Sequence, residues 1–220
     1  MAISLNVSAP GAIPDLDTLK STVSAYLDRD DLDTLLPQFI LLAEAMFNRE
    51  LRCPEMEQTD TVQVTSEDTP LPDDYLAMRA IYIEGNPDRP LRGMAPSAIR
   101  QEFDGTSGIP VAYTLVGGGL RLYPVPTTPG SLITMDYWAR IVNLSTAAPS
   151  NWLLEKHPDA YLYGTLFQAE AYLDNATRAS QWAQLLSNVI DRINRTSRND
   201  RYGAGPLVPN HVVQVRGGRC

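Results

Sequence analysis

Glu155, His157 and Asp159 alternate along NWLLEKHPDA at residues 151–160, placing an imidazole between two carboxylates in a chain whose other histidine is His211. Such a set could do general acid–base work or, with more donors, ligate a metal. On a helix, however, residues two apart point to different faces and cannot converge on one ion. A zinc site wants three or four protein ligands, and no second histidine lies near in sequence. The same residues make an economical helix start, with His157 at the cap, Pro158 in the first turn and Asp159 where the helix dipole favours negative charge. A small cytoplasmic enzyme using Glu155, His157 and Asp159 is therefore the lesser reading.

Other constellations fail for stated reasons. VGGGLRLYP at 116–124 lacks the Gly-Lys-Ser/Thr of a phosphate loop and leads into a strand. Asp73 and Asp74 in LPDDYLAMR suit the start of a turn better than an acid–base pair. GTSG at 105–108 does not have the Gly-x-Ser-x-Gly form of a nucleophile elbow. No catalytic, cofactor-binding or metal site is expected, and no cofactor.

The elements behind these residues are legible as periods. Residues 1–14 form an extended arm. Leu16, Leu19, Val23, Tyr26 and Leu27 then recur at helical spacing. A second helix follows, capped by Asp33 or Thr34, with Pro37 tolerated in its first turn. Its Phe39, Leu42, Ala43 and Met46 form one stripe, which Ile40, Leu41 and Phe47 widen. A helix this apolar should be packed on more than one side. From about residue 59 the period becomes two, and Val111, Tyr113 and Leu115 face Leu120 and Leu122 across three glycines as a hairpin. Helical spacing returns at Leu153, with one helix from Pro158 to Leu173 and another after Asn175 whose face is Trp182, Leu185, Leu186, Val189 and Ile193. The pattern dissolves from Arg195.

This order implies an α+β fold. The expected layout is an antiparallel helical bundle from residues 15–58 and 150–198, an inserted antiparallel β unit at 59–149 and an extended tail at 199–220.

Composition narrows the function. Acids outnumber bases 26 to 18, and 16 of the bases are arginine. From Arg192 onward six arginines meet one acid, Asp200, so an acidic body carries a basic tail. A net charge of −8 argues against wrapping nucleic acid. Cys53 and Cys220 have no metal-type spacing and are expected to be free thiols in a reducing cytoplasm. No run approaches the roughly 18 apolar residues of a membrane span. Tyr161, Tyr163, Phe167 and Tyr172, with Leu162, Leu166, Ala169 and Leu173, encircle the helix at 158–173 and leave Gly164, Thr165, Gln168 and Glu170 as relief. Such a helix is either deep in its own core or shared between neighbours, and because a unit of this size has few deep positions, subunit packing through Tyr161, Tyr163, Phe167 and Tyr172 is the favoured reading over plain core.

HPDAYLYG at 157–164, the following AEAYLDN and Trp182 resemble the head-to-tail adaptor, or connector, proteins of short-tailed and related bacteriophages. The resemblance also takes in FILLAEAMFNRELR at 39–52, LPDDYLAMR at 71–79, GIPVAYTLVGGGLRLYPVP at 108–126 and YWARIVNLS at 137–145. It implies a structural virion protein at the neck, made in the host cytoplasm. A ring of twelve copies would attach to the portal protein, extend the DNA channel and offer a docking surface to tail or nozzle proteins, and possible tail fibre proteins. Twelve copies at −8 each would carry −96, a lumen that DNA slides through without sequence-specific binding. By the same resemblance the tail would enter the portal, giving Tyr202, Val208, His211, Val212, Val213, Gln214, Val215, Arg216 and Arg219 as portal-facing residues. The strand-like HVVQV would add backbone to backbone. A tail-completion or fibre-docking module is the alternative within the virion.

Overall fold

The computed structural model describes residues 13–29, 31–64, 68–83, 89–127, 130 and 132–202. The order is α1 (Leu16–Leu27), α2 (Leu36–Glu50), a 3-10 turn at Pro54–Met56, then β1 (Glu57–Gln63), β2 (Asp68–Pro70), β3 (Tyr75–Ile83) and β4 (Arg92–Gly93). There follow α3 (Pro96–Phe103), β5 (Ser107–Gly108), β6 (Ala112–Val116), β7 (Gly119–Tyr123), β8 (Val125–Pro126) and β9 (Leu132–Ala139). The chain then returns to helix in α4 (Trp152–Lys156), α5 (Pro158–Tyr172) and α6 (Ala176–Tyr202). The fold is α+β.

Local chemistry sets the helix ends. Asp15 accepts from the Thr18 amide at 2.8 Å to cap α1, and Asp28 closes it in the left-handed conformation, φ 54°. The expected cap of α2 moves. Its cap is Leu35, with Pro37 in the first turn, because Asp33 instead accepts from Ser24 Oγ at 2.8 Å and ties the turn to α1. His157 does cap α5, by backbone position and without a side-chain hydrogen bond.

The helices share one core. α5 is its centre, with Ala160, Tyr161, Leu162, Gly164, Thr165, Leu166, Ala169 and Glu170 all buried. On one side lies α2, where Phe39 meets Tyr172 at 5.5 Å and Phe47 meets Tyr161 at 5.2 Å between ring centroids. On the other lies α6, where Trp182 stacks on Tyr163 at 5.8 Å and also meets Tyr26 of α1. Tyr163 and Tyr172 are nine residues apart, about half a turn around the helix at 3.6 residues per turn, so α2 and α6 meet α5 through different faces. The two converge at the end of α2, where Asn194 donates to the Glu50 carbonyl at 3.0 Å and accepts from the Arg52 amide at 3.0 Å. The close α2–α5 approach needs Gly164, where an added Cβ would sit 2.9 Å from Phe47 Cζ and 3.1 Å from Ala43 Cβ.

Two expectations are corrected here. The residues taken as polar relief on α5, Gly164, Thr165 and Glu170, are buried, because α1, α2, α4 and α6 all pack on this helix. α2 buries Leu36, Phe39, Ile40, Ala43, Glu44 and Phe47, while Leu41 and Leu42 of the expected stripe are exposed. It is packed on one side only within the chain.

The β unit has a core of its own. One sheet has the order β1-β9-β3 and the other β2-β7-β6-β4, and between them lie Ile81, Leu120, Leu122, Ile133 and Met135. β9 alternates strictly, burying Ile133, Met135, Tyr137 and Ala139. The opposite face of this sheet sends Leu76 and Trp138 to the helical core. β6 and β7 pair as expected, Leu115 opposite Leu120 and Tyr113 opposite Leu122. Gly117 and Gly118, both at positive φ, make the two-residue turn. The unit is not wholly antiparallel: β4–β6 and β5–β8 are parallel two-residue pairings, and α3 packs its Ile99 against Ala112 and Tyr123.

α6 continues through Arg195 to Tyr202, so residues 199–202 are helical, contrary to the extended tail expected there. Its last turns hold arginine and no glycine or proline before Gly203, so helix propensity carries it beyond the last apolar contact. The arm residues 1–12 lie outside the described residues, as do Val208, His211, Val212, Val213, Gln214, Val215, Arg216 and Arg219.

Candidate functional site

The acid–imidazole set does not assemble as one group. Glu155 is exposed on α4 and accepts from Ser150 Oγ at 3.3 Å. His157 and Asp159 instead line a groove of about 200 Å³ with Glu55, Arg192, Thr196 and Ser197. Among the described residues no group of three or more His, Cys, Asp or Glu side chains is placed to hold a metal. Cys53 is a buried free thiol, pushed up to about 12 mainly by burial and also by nearby Glu55.

The polar groups that do converge were not singled out from the sequence. Glu44, on the apolar side of α2 and 1% exposed, accepts from the Leu144 amide at 2.7 Å and from the Tyr161 hydroxyl at 3.0 Å. Asn151 donates to that hydroxyl at 2.6 Å and to the Val142 carbonyl at 2.7 Å, while its side-chain oxygen caps α4 through the Leu154 amide. One turn along α2, Asn48 accepts from the Ile141 amide at 2.8 Å. The chain leaving the β unit, 141–144, is thus held to α2 through side chains. Burial pushes the Glu44 carboxyl above the usual carboxylate range, and these two hydrogen bonds oppose that shift. Burial, then the adjacent Glu44, raises the Tyr161 phenol. The one available signal was an acid in the middle of an apolar stripe.

Tyr161 is therefore a core residue, fully buried and hydrogen-bonded in its own chain, and not a surface one. Tyr163 and Phe167 are half-buried, and Tyr172 is 62% exposed. The larger uncovered apolar surface lies elsewhere. On the helices it comprises Tyr26, Leu41, Leu42 and Leu185. On the β unit Ile109 is 76% exposed and stands with Pro110 between two grooves of about 490 and 190 Å³, which share Ile83. Among the described residues no helix is long and apolar enough to cross a membrane.

The comparisons with known proteins agree with a contact role. A family model described as SU10 adaptor protein matches residues 14–210, taking in the helical core and the β unit together. No curated protein matches the chain.

Proposed function

The chain belongs to the SU10 adaptor protein family, and on that premise we propose that it forms a ring between the head and the tail of a phage virion. It is a phage adaptor and a structural protein of the virion neck. In the proposed role the ring attaches to the portal protein, extends the DNA channel and gives tail components their docking surface. The observation that carries this is the family match across 14–210. The exposed apolar residues on two separate parts of the molecule support it, since an adaptor must hold both its own copies and a partner.

The helical core forms the ring wall, and the β unit, with Ile109 between its two grooves, faces the tail. The segment 203–220 with its basic residues Arg216 and Arg219 meets the portal. DNA passes an acidic ring without being bound by sequence. Mixing the purified chain with portal rings and imaging the product tests this. A second ring stacked coaxially on the portal is expected, and deleting 203–220 should abolish it while leaving a folded chain. Undiminished portal binding by the truncated chain would remove the role assigned to that segment, and no portal binding by the full chain would remove the adaptor reading's attachment site.

A further inference from the structure

We infer that the arm ahead of α1 folds back over the segment leaving β9 in the same chain, so that Ile3, Leu5 and Val7 cover Val142; the deduction goes beyond the ring reading and does not depend on it. The segment is tied down on one side and bare on the other. Ile141 is buried, and the Ile141 and Leu144 amides are held by Asn48 and Glu44 of α2, but Val142 between them is 63% exposed. Leu41, also exposed, stands one turn before Glu44 on the α2 stripe that holds the segment. Among the described residues the Val142 and Asn143 amides have no acceptor.

The arm has the composition of a cover for such a strip. Ile3, Leu5 and Val7 alternate with Ser4, Asn6 and Ser8, which in an extended chain puts the three apolar side chains on one side. Residues 1–14 include no charged side chain, and neither do residues 141–154. Contact between the two therefore strips no charge of water.

The root of the arm lies beside the strip. Ile13 packs against the helical core, and the Leu16 amide donates to the Pro149 carbonyl at 2.8 Å. Two residues on, Asn151 donates to the Val142 carbonyl at 2.7 Å. Two hydrogen bonds and two residues of chain thus link the start of α1 to Val142, a separation of no more than about 20 Å. Pro10-Gly11 is a turn dipeptide just ahead of the root, and the nine residues before it span about 30 Å when extended.

Those lengths also decide whose arm it is. A tethered segment that reaches its site is present there at an effective concentration of about millimolar, above that of any arm supplied by a second copy in dilute solution. The arm then closes over the joint between the β unit and the helices, adding a third tie to those of Glu44 and Asn48.

Disulfide trapping in the full-length chain with Cys220→Ser tests this, Cys53 being buried. Val142→Cys is combined in turn with Cys at each position from 3 to 8, and dilute protein is mildly oxidised. Links within one chain should form several-fold faster from positions 3, 5 and 7 than from 4, 6 and 8. Equal rates from odd and even positions, which an unattached tether would give, overturn the placement, and links formed only between chains overturn the assignment to the same chain. Amide exchange supplies a second measure without a new cysteine. The Val142 and Asn143 amides should exchange about tenfold faster in a chain carrying Ile3→Ser, Leu5→Ser and Val7→Ser than in the wild type, with the α5 amides unchanged. Equal exchange in the two chains overturns the inference.

Discussion

Glu44 and Asn48 stand one turn apart on α2 and hold two amides of the segment that leaves β9, Leu144 at 2.7 Å and Ile141 at 2.8 Å. They fasten the β unit to the helical core at its exit. Asn48→Ala leaves the Ile141 amide without that acceptor, a loss of about 1–2 kcal/mol at a half-buried position. Amide exchange at Ile141 should then quicken by about tenfold while the α5 amides keep their protection. Unchanged exchange at Ile141 would show that the joint does not depend on this bond.

Glu44 gives the fold a pH dependence of definite sign. Burial raises its carboxyl above the usual 4.5, so in the interval between 4.5 and its folded value the native chain holds more protons than the unfolded one. The stability that this contributes is complete below 4.5 and is lost as pH rises through the folded value. Glu44→Gln, neutral throughout, lacks the effect. The urea stability of the wild type minus that of Glu44→Gln should fall as pH rises above 4.5. A flat difference across that range contradicts the assignment.

Gly164→Ala sets two effects against each other. Alanine favours an exposed helix interior by about 1 kcal/mol over glycine. The new methyl, however, would stand 2.9 Å from Phe47 Cζ and 3.1 Å from Ala43 Cβ, and overpacking of a filled core costs about 1–3 kcal/mol. Net destabilisation is expected in chemical denaturation, with partial recovery when Phe47→Leu is added. A more stable Gly164→Ala chain would mean that α2 and α5 can move apart freely.

His157 separates the structural reading from the enzymatic one. It caps α5 without a side-chain hydrogen bond, so His157→Ala should change stability by less than about 1 kcal/mol and leave assembly on portal rings intact. An imidazole-dependent activity of the wild type that disappears in this variant would revive the catalytic reading.

Much of the architecture was legible because its signals are local. The periods of three to four and of two placed α1, α2, α5, α6 and β9, and the glycines at 117–119 placed the β6–β7 turn. Sidedness was less legible. Leu41 and Leu42 extend the apolar stripe of α2 as naturally as Phe39 does, and a single helix cannot say which neighbours will be in its own chain. α3 is eight residues long with Ile99 as its one buried residue, too short to show a period. The parallel two-residue pairings have no local signal, because they are set by what the larger sheets bring together. At the candidate site, Tyr161 was grouped with Tyr163, Phe167 and Tyr172 because the sequence of one helix does not separate an aromatic buried in its own core from one shared with a neighbour. Its partners Glu44 and Asn151 come from other elements, 117 and 10 residues away.

The central place of α5 also sets an order of events on the ribosome. α1 and α2 are made first, yet the helices that cover Phe39, Ala43 and Phe47 begin more than a hundred residues later, at Pro158. The β unit carries its own core and can close in the interval, while the first two helices wait with a bare apolar face. Completion of the molecule is therefore a late, long-range event, slow for its size by loop closure alone. During that wait the apolar face of α2 stands open in the nascent chain, although the finished molecule hides it.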